Sequence, residues 1–545
     1  MKSKFNLFFL ISSFLFVSAC KSPLQDVKLV VNSKVFKTKI AFQIQDAVPT
    51  SPEPIPNITV KVFGGSDYSN PDNSIENPSY VLDSKGTKSF KVVKGFTTFF
   101  LSPGIEPNAT KPVKFTAIFS APGYLNAIVN VSLNKTGNSS YRVKMIKIDN
   151  TPAGVSAATG TMQVGTNGLG SNFTLTSTAS GTQSFGATIF FTSGTRFYNS
   201  AGTELTGTLN VSIIHYNNQS ESSLQSFPGG LNIHSGSYQG SQINNFTFLT
   251  AGLVDFQITA GNQNVASFSN PAILTMGIDP NTYNPDNQSM VSAGQSIPVW
   301  TMNQSNGVWN FLSNSTIESG TNGLQSVSNL NSPGIVNYDY RVNNNGIANP
   351  QLGIGGNSQG DFPPSGYLNF RLYFANTNTY YGNEQWFSID EIRNGSNFSF
   401  PILPSDIQFV LRAFYGNQLV GESSPFSSSI GTIYMSYNFS GFNFINYFRV
   451  EANVWGTCPN QPDVRNAPDA AVYIRDVNGY YENFGWMSDG FYTGYFQSGR
   501  TYNYSVFAYG QLSEGSFTIE SGFSGTLYYE NNVELSPEAC EDLGL

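Results

Sequence analysis

Nucleophilic and metal-binding chemistry in proteins often depends on cysteine and histidine, and this chain of 545 residues has three cysteines and two histidines. His215 and His234 lie 19 residues apart, with no Cys or Asp/Glu cluster at ligand spacing near them. A zinc site needs three or four such ligands, so we predict no metal centre. A Ser-His-Asp triad would need a fold that brings distant residues together. We therefore interpret both histidines as hydrogen-bonded polar residues at strand edges.

The first twenty residues have the composition of a secretion signal. Lys2 and Lys4 precede an apolar stretch at residues 5–17 that is interrupted only by one Asn and two Ser. This stretch is too short to remain as a membrane anchor but suits the apolar core of a secretory signal. No other stretch approaches about 18 unbroken apolar residues, so we expect the rest of the chain to lie outside the membrane.

The end of the apolar stretch offers a thiol for modification. Val17, Ser18 and Ala19 precede Cys20, and this order of an aliphatic residue, two small residues and Cys resembles the lipobox of bacterial lipoproteins. The resemblance implies cleavage before Cys20 and attachment of diacylglycerol to its thiol, so membrane lipid is the expected partner. Two or three acyl chains on one residue anchor a protein stably. The alternative is an ordinary cleaved secretory peptide with an incidental cysteine.

The residues after Cys20 indicate a location in the envelope. The low-charge, Asn- and Tyr-rich chain resembles lipoproteins of the Bacteroidetes, in which Lys followed by acidic residues after the cysteine marks export to the cell surface. Lys21 follows Cys20 here, and the first acid is Asp26. The resemblance implies a lipid-anchored outer-membrane protein and favours display on the cell surface over the periplasmic side.

With Cys20 assigned to lipid, Cys458 and Cys540 remain as a pair in an oxidising compartment. A bridge between them would close a loop of about 80 residues and stabilise the last part of the chain by roughly 4 kcal/mol in the chain-entropy model. The alternative is two free buried thiols. A catalytic cysteine needs a nearby base, and no histidine lies in this part of the sequence.

Oxygen-rich side chains are concentrated in residues 279–287. Asp279, Asn281, Asn284, Asp286 and Asn287 carry the hard oxygen ligands that Ca²⁺ prefers. However, no glutamate follows at the spacing of a bidentate ligand, and Asx-Pro sequences ordinarily form turns. We interpret the segment as a turn and keep calcium binding as the alternative.

Glycoside hydrolysis needs two carboxyl groups about 5–9.5 Å apart across a cleft. Asp390, Glu391, Glu482 and Asp489 are candidates only because they are acidic, since no spacing distinguishes them. We therefore predict that the protein is not an enzyme and uses no cofactor.

Aromatic residues are concentrated near the C-terminus, and flat rings can stack on sugars. Rings on strands more often form cross-strand pairs and cores, so glycan binding is the alternative interpretation. The candidate rings are Tyr480, Tyr481, Trp486, Tyr492, Tyr495 and Tyr502.

Composition excludes one large class of partners. Charged residues make up 11% of the chain, against about 25% in typical soluble domains. With 27 basic and 35 acidic residues the net charge is −8, which argues against a nucleic-acid binder because such proteins cluster Lys and Arg. The densest basic residues, Lys28, Lys34, Lys37 and Lys39, are predicted to lie on a solvated strand face.

The dominant pattern is alternation of apolar and polar residues in short runs bounded by turns, as in residues 114–119, 208–213 and 369–374. Helical periodicity is nearly absent, so the sequence predicts an all-β protein of tandem β-sandwich modules, Ig-like or transthyretin-like, behind a lipoprotein signal peptide. We predict a signal peptide at 1–19, a lipidated tether and Pro-rich linker at 20–57, and modules at 58–149, 150–342, 343–440 and 441–545.

Two of these modules have recognisable motifs. Residues 58–63 (ITVKVF) and 120–125 (SAPGYL), and later 489–492 (DGFY) and 499–504 (GRTYNY), resemble the carboxypeptidase regulatory-like sandwich of transthyretin type. Residues 189–195 (IFFTSGT), 227–231 (FPGGL) and 297–300 (IPVW) follow an order that is similar to a β-rich ectodomain of secreted Bacteroidetes proteins. These resemblances imply extracellular structural modules and no reaction.

Three functions remain open from the sequence. The favoured one is a non-catalytic cell-envelope lipoprotein acting as an extracellular adhesion, spacer or scaffold protein, with other envelope proteins as partners. The second is a glycan-binding surface lipoprotein that partners a polysaccharide-uptake system, and the third is a secreted hydrolase.

Overall fold

The structure is a computed structural model of the chain. It describes residues 36–48, 54–70, 72–177, 186–261, 263–342, 351–442 with short gaps, 447–477, 482–521 and 526–542. Strands dominate these residues, and the helices among them are short: α1 spans Glu221–Leu224 and α2 spans Pro537–Asp542.

The first region, residues 36–148, is a sandwich of two four-stranded sheets. Its strands are β1 (Thr38–Asp46), β2 (Thr59–Gly64), β3 (Ile75–Glu76), β4 (Val81–Leu82), β5 (Phe96–Leu101), β6 (Val113–Ser120), β7 (Ala127–Leu133) and β8 (Gly137–Met145). The sheet orders are β4-β5-β1-β8, with β1 and β8 parallel, and β3-β2-β6-β7. Strand alternation directs Phe42 between the sheets, where its ring centroid lies 4.7 Å from that of Phe99 and 5.4 Å from that of Phe119.

The second region, residues 149–342, is built on a 13-stranded sheet. Its strands are β9 (Val155–Gly165), β10 (Gly168–Leu169), β11 (Phe173–Thr176), β12 (Ala187–Phe191), β13 (Phe197–Tyr198), β14 (Glu204–Leu205), β15 (Gly207–Tyr216), β16 (Asn232–Tyr238), β17 (Ser241–Ala260), β18 (Gln263–Asn264), β19 (Ser267–Phe268), β20 (Ala272–Ile278), β21 (Tyr283–Asn284), β22 (Ser289–Met290), β23 (Ser296–Asn303), β24 (Val308–Gly320), β25 (Gly323–Leu330) and β26 (Gly334–Val342). The long strand β17 pairs with β15, β16 and β26, and its register shifts between Thr250 and Gly252. Gly252 has φ of +141°, a backbone conformation that residues with a Cβ rarely adopt.

The third region, residues 351–442, has an eight-stranded sheet in the order β30-β29-β32-β33-β34-β27-β31, with β28 on β34. Its strands are β27 (Gln351–Gly355), β28 (Ser358–Gln359), β29 (Tyr367–Phe374), β30 (Tyr380–Ser388), β31 (Asn397–Ser399), β32 (Phe409–Tyr415), β33 (Gln418–Ser423) and β34 (Thr432–Asn438). Buried residues of β29 and β32 belong to the same hydrophobic core as those of the second region, so the two regions share one interior.

The fourth region, residues 447–542, is again a sandwich of two four-stranded sheets. Its strands are β35 (Tyr447–Cys458), β36 (Gln461–Asn466), β37 (Ala470–Asp476), β38 (Glu482–Met487), β39 (Phe491–Gln497), β40 (Arg500–Ala508), β41 (Gln511–Ile519) and β42 (Thr526–Glu534). In one sheet β35 lies between β42 on one side and β36 and β39 on the other, and the second sheet has the order β38-β37-β40-β41. Val450, Val472 and Phe496 from both sheets meet in its core.

The four regions contact one another in a closed cycle. Asn130 Nδ2 donates to Gly229 O at 2.9 Å between the first and second regions, and the Thr247 and Tyr381 hydroxyls lie 2.8 Å apart between the second and third. Gly485 of the fourth region lies against Tyr367 of the third. A Cβ atom added at Gly485 would be only 2.8 Å from the Tyr367 hydroxyl oxygen. The fourth region then packs against the first.

The prediction of an all-β protein with tandem sheet modules is confirmed, because strands form every region and enclose apolar interiors, one of which the second and third regions share. No helix in the described part of the chain is long and apolar enough to cross a membrane. The predicted signal peptide and the lipobox, Val17, Ser18, Ala19 and Cys20, lie outside the described residues.

Candidate functional site

Cys458 and Cys540 form a disulfide in the structure, with their Cα atoms 5.7 Å apart. Cys458 ends β35, and Cys540 lies in α2, where its backbone N–H donates to Ser536 O at 2.9 Å. Both cysteines are buried in a small cluster with Leu535 and Ala539. The bridge thus attaches the C-terminal helix to the central strand of its sheet, and bonded sulfurs offer no nucleophile.

The interpretation of His215 as a hydrogen-bonded residue at a strand edge is wrong. His215 lies on β15, which is paired on both sides, and is 2% exposed; His234 is 7% exposed. His215 Nε2 and His234 Nδ1 have no hydrogen-bond partner. Burial lowers the pKa of His215 to about 4, and burial together with the charge of Lys114 lowers that of His234 to about 3. Both rings are therefore neutral packing residues at pH 7.

The oxygen-rich loop at residues 279–287 uses its oxygen atoms in turns. Asp279 Oδ1 accepts from the backbone N–H and the side-chain amide of Asn281, at 2.9 and 3.0 Å. Asn284 Oδ1 accepts from the Asp286 N–H at 2.9 Å. These are Asx turns, which Asx-Pro sequences favour. In the described part of the chain no group of three or more His, Cys, Asp or Glu side chains could hold a metal ion.

The acids considered for hydrolysis have structural contacts where the structure describes them. Glu482 accepts from the Tyr473 hydroxyl at 2.8 Å and pairs with Arg142 of the first region at 3.2 Å. Asp489 occupies a turn with φ of +53°. Asp390 and Glu391 lie outside the described residues.

Two buried acids were missed in the sequence. Burial raises the pKa of Asp255 to about 7, although Gln257 and Gln304 donate to its carboxyl group, and raises that of Asp339 well above its usual value. Asn337 Nδ2 donates to Asp339 Oδ2 at 2.6 Å. In the alternating run of residues 336–342, Asp339 falls on the polar side of the strand with Asn337 and Arg341, so the sequence pattern gave no signal that this acid is buried.

The predicted cluster of C-terminal rings separates into different environments. Tyr502 is 1% exposed in the core of the fourth region, and Tyr492 packs against that core and accepts from Asn483 Nδ2 at 2.9 Å. Trp486 Nε1 donates to Ser139 O of the first region at 3.2 Å. Tyr480 and Tyr481 lie outside the described residues. The described rings of this set do not share one surface, because strand alternation turns neighbouring rings to opposite faces.

Of the six, Tyr495 lies with three other rings on the solvent side of the sheet around β35. Residues directly opposite each other on paired strands share a face, and the register places Tyr495 opposite Arg449, Phe491 opposite Asn453, and Tyr528 opposite Glu451. Alternation along β35 puts Arg449, Glu451, Asn453 and Trp455 on that same face. We call the surface defined by Trp455, Phe491, Tyr495 and Tyr528 the aromatic face.

The aromatic face combines exposed rings with polar side chains. Tyr528 is 73% exposed and Phe491 is 41% exposed, whereas Trp455 and Tyr495 are partly buried. Between the rings, Arg449 pairs with Glu451 at 2.7 Å, and Arg449 Nε donates to Thr493 Oγ1 at 3.4 Å. Such a surface can stack on a flat ligand and form hydrogen bonds with its edges.

Comparison with known proteins gives no family for this chain. No protein-family model matches it, and no curated protein matches it. A solved structure of a minor pilin of Streptococcus agalactiae is 15% identical with a TM-score of 0.14, over 36% of this chain and 93% of that chain. The full-length major pilins of Streptococcus pneumoniae and Corynebacterium diphtheriae are 8% and 9% identical, with TM-scores of 0.13 and 0.14, over 91% and 92% of this chain and 99% and 98% of theirs. TM-scores this low carry no argument about this protein's function.

Proposed function

We propose that the protein is a non-catalytic cell-envelope lipoprotein, anchored to the outer membrane through acylated Cys20, that acts as an extracellular scaffold or adhesion protein. Its resemblance at the N-terminus is to Bacteroidetes lipoproteins, and its end modules resemble carboxypeptidase regulatory-like sandwiches. The observation that carries the proposal is the set of buried contacts that joins the fourth region to the first.

The contact between the fourth and first regions is made by the outer face of one sheet in each region. Ala471, Phe484 and Phe507 of the fourth region form one buried cluster with Ala41 and Phe96 of the first. A cluster of this kind excludes water and favours one fixed orientation of the two sandwiches.

Charged groups complement this apolar contact. Lys39 pairs with Asp469, and each side chain is only 9% exposed. This corrects the prediction that Lys39 lies on a solvated strand face. Loss of either partner would leave the other charge buried and unpaired, which is strongly destabilising. The ion pair therefore favours the docked arrangement of the two regions.

The cycle of contacts favours a scaffold or adhesion protein over a spacer. A spacer gains reach from modules arranged end to end, whereas here the fourth region returns to the first. Side chains of the types used in catalysis, such as His215, His234 and Asp255, are buried within this packing. The combination supports a rigid body that presents surfaces and performs no reaction.

The anchoring part of the proposal is tested in cells by Cys20→Ala. We expect this variant to lose labelling by palmitate and to leave the membrane fraction, while Cys458→Ala keeps both because Cys458 has no lipobox. Labelling of the Cys20→Ala chain would contradict the lipoprotein assignment.

The remaining parts are tested on intact cells and on the soluble chain of residues 22–545. Protease added to intact cells should digest the protein, whereas complete protection would place it on the periplasmic side. Cells with Cys20→Ala should attach less to surfaces.

Panels of glycoside, ester and peptide substrates should show no turnover, and reproducible turnover by the pure chain would contradict a non-catalytic role.

A further inference from the structure

We propose that the aromatic face, formed by Trp455, Phe491, Tyr495 and Tyr528, binds an uncharged polysaccharide chain. The inference deepens the proposed function, because it gives an adhesion protein its ligand class. It depends on the observation that this sheet has large rings exposed to solvent while the other sheet of the same region has its outer rings buried against the first region.

Exposure of these rings is the first argument. A tyrosine that is 73% exposed and a phenylalanine that is 41% exposed lie on one face, on the strands on either side of β35. Large apolar side chains grouped on a surface and interspersed with polar residues mark interaction sites more often than isolated ones do. The open side of each ring offers a negatively polarised π-face.

The spacing of the rings is the second argument. Phe491 and Tyr495 are four residues apart on β39, which separates them by about 13 Å along the strand. Tyr528 lies on β42, two strands from β39, or roughly 10 Å across the sheet. The apolar C–H faces of a pyranose polymer recur along its length, so an extended chain could contact several rings at once.

Polar groups between the rings suit hydroxyl groups. Arg449 is held by Glu451 and by Thr493, so its guanidinium group is already oriented before a ligand arrives. Pre-orientation lowers the entropy cost of binding. Asn453 and Glu530 lie opposite each other on the same face and add an amide and a carboxylate. Together these groups can donate to and accept from sugar hydroxyls.

Charge and area argue against other occupants. Arg449 is neutralised by Glu451, so among the described side chains this face presents no excess of positive charge to attract an anionic polymer or membrane. The three strands β39, β35 and β42 have 7, 12 and 9 residues, and at about 4.8 Å between strands they give a face of roughly 450 Å², below the roughly 800 Å² per partner of a stable protein interface. A narrow, uncharged and extended ligand fits best.

Affinity electrophoresis of the soluble chain of residues 22–545 tests the proposal. The gels contain xyloglucan, glucomannan, mixed-linkage glucan, xylan or starch. We expect at least one of these neutral polysaccharides to retard the wild-type chain. Tyr528→Ala should weaken the apparent affinity about tenfold, and Tyr528→Phe should keep most of it because the ring remains.

Tyr434→Ala is the matched control, because Tyr434 of the third region is 77% exposed and lies outside the aromatic face. It should bind like the wild type. The proposal is overturned if none of the polysaccharides retards the wild type, if Tyr528→Ala binds normally, or if Tyr434→Ala is equally impaired. It is also overturned if Tyr528→Ala dissociates an oligomer, since the face would then bind a second copy. Loss of palmitate labelling or of surface exposure is measured separately, so failure of the proposed function is distinguishable.

Discussion

The two sheets of the fourth region have aromatic residues on their outer faces, but with opposite results. Phe484 and Phe507, on the outer face of the β38-β37-β40-β41 sheet, are buried against Phe96 of the first region. Phe491 and Tyr528, on the outer face of the sheet around β35, remain exposed. The same alternating pattern thus produces an internal contact on one side and a free surface on the other, which indicates that the two faces have different roles.

The largest expected effect concerns the disulfide of the fourth region. Cys540→Ser opens a bridge between residues 82 positions apart, and should lower the free energy of unfolding of the fourth region by about 4 kcal/mol in the chain-entropy model. Scanning calorimetry with and without reductant measures this. Wild type in reductant should match the variant, and equal melting temperatures in all samples would show that the bridge contributes nothing.

Breaking the buried ion pair tests whether charges at the docked face contribute to stability. Lys39→Met leaves Asp469 buried without its cation, and should lower the free energy of unfolding by roughly 3 kcal/mol. The double variant Lys39→Met with Asp469→Leu should recover much of this loss, because no unpaired charge remains. If the double variant is as unstable as the sum of the single variants, the two groups are not coupled.

Truncating one ring on each face compares them directly. Phe507→Ala creates a cavity at a residue that is 3% exposed and should cost about 3 kcal/mol. Phe491→Ala removes a 41% exposed ring and should leave the melting temperature nearly unchanged, while weakening polysaccharide binding. Equal losses of stability in the two variants would mean that the faces do not differ as described.

The smallest effect is expected at the rim of the docked face. Lys94 pairs with Glu514 across the same two regions, but these side chains are 58% and 43% exposed. Solvent screens such pairs, so Lys94→Ala should not change the melting temperature measurably. A loss comparable to that of Lys39→Met would show that charge at the contact matters irrespective of burial.

Much of the fold was predictable from local patterns. Alternation in runs such as residues 114–119 predicted strands, because a strand with one buried face repeats every two residues. Alternation identifies two faces of a strand without showing which face the core covers, so the sequence left glycan binding open as the alternative for Tyr502 and Tyr492, which lie in or against the core. His215 was misplaced because alternation does not show whether a strand lies at the edge of a sheet or, like β15, between two other strands.

By itself, the sequence determined that the chain is all-β and which residues alternate along each strand, because these properties depend on neighbours a few positions apart. It also identified Cys458 and Cys540 as the remaining pair of thiols. Only the tertiary structure decided which outer face is covered, because that depends on residues as distant as Lys39 and Asp469, which are 430 positions apart. The aromatic face is exposed because no other described region packs against it, and local sequence holds no information about that.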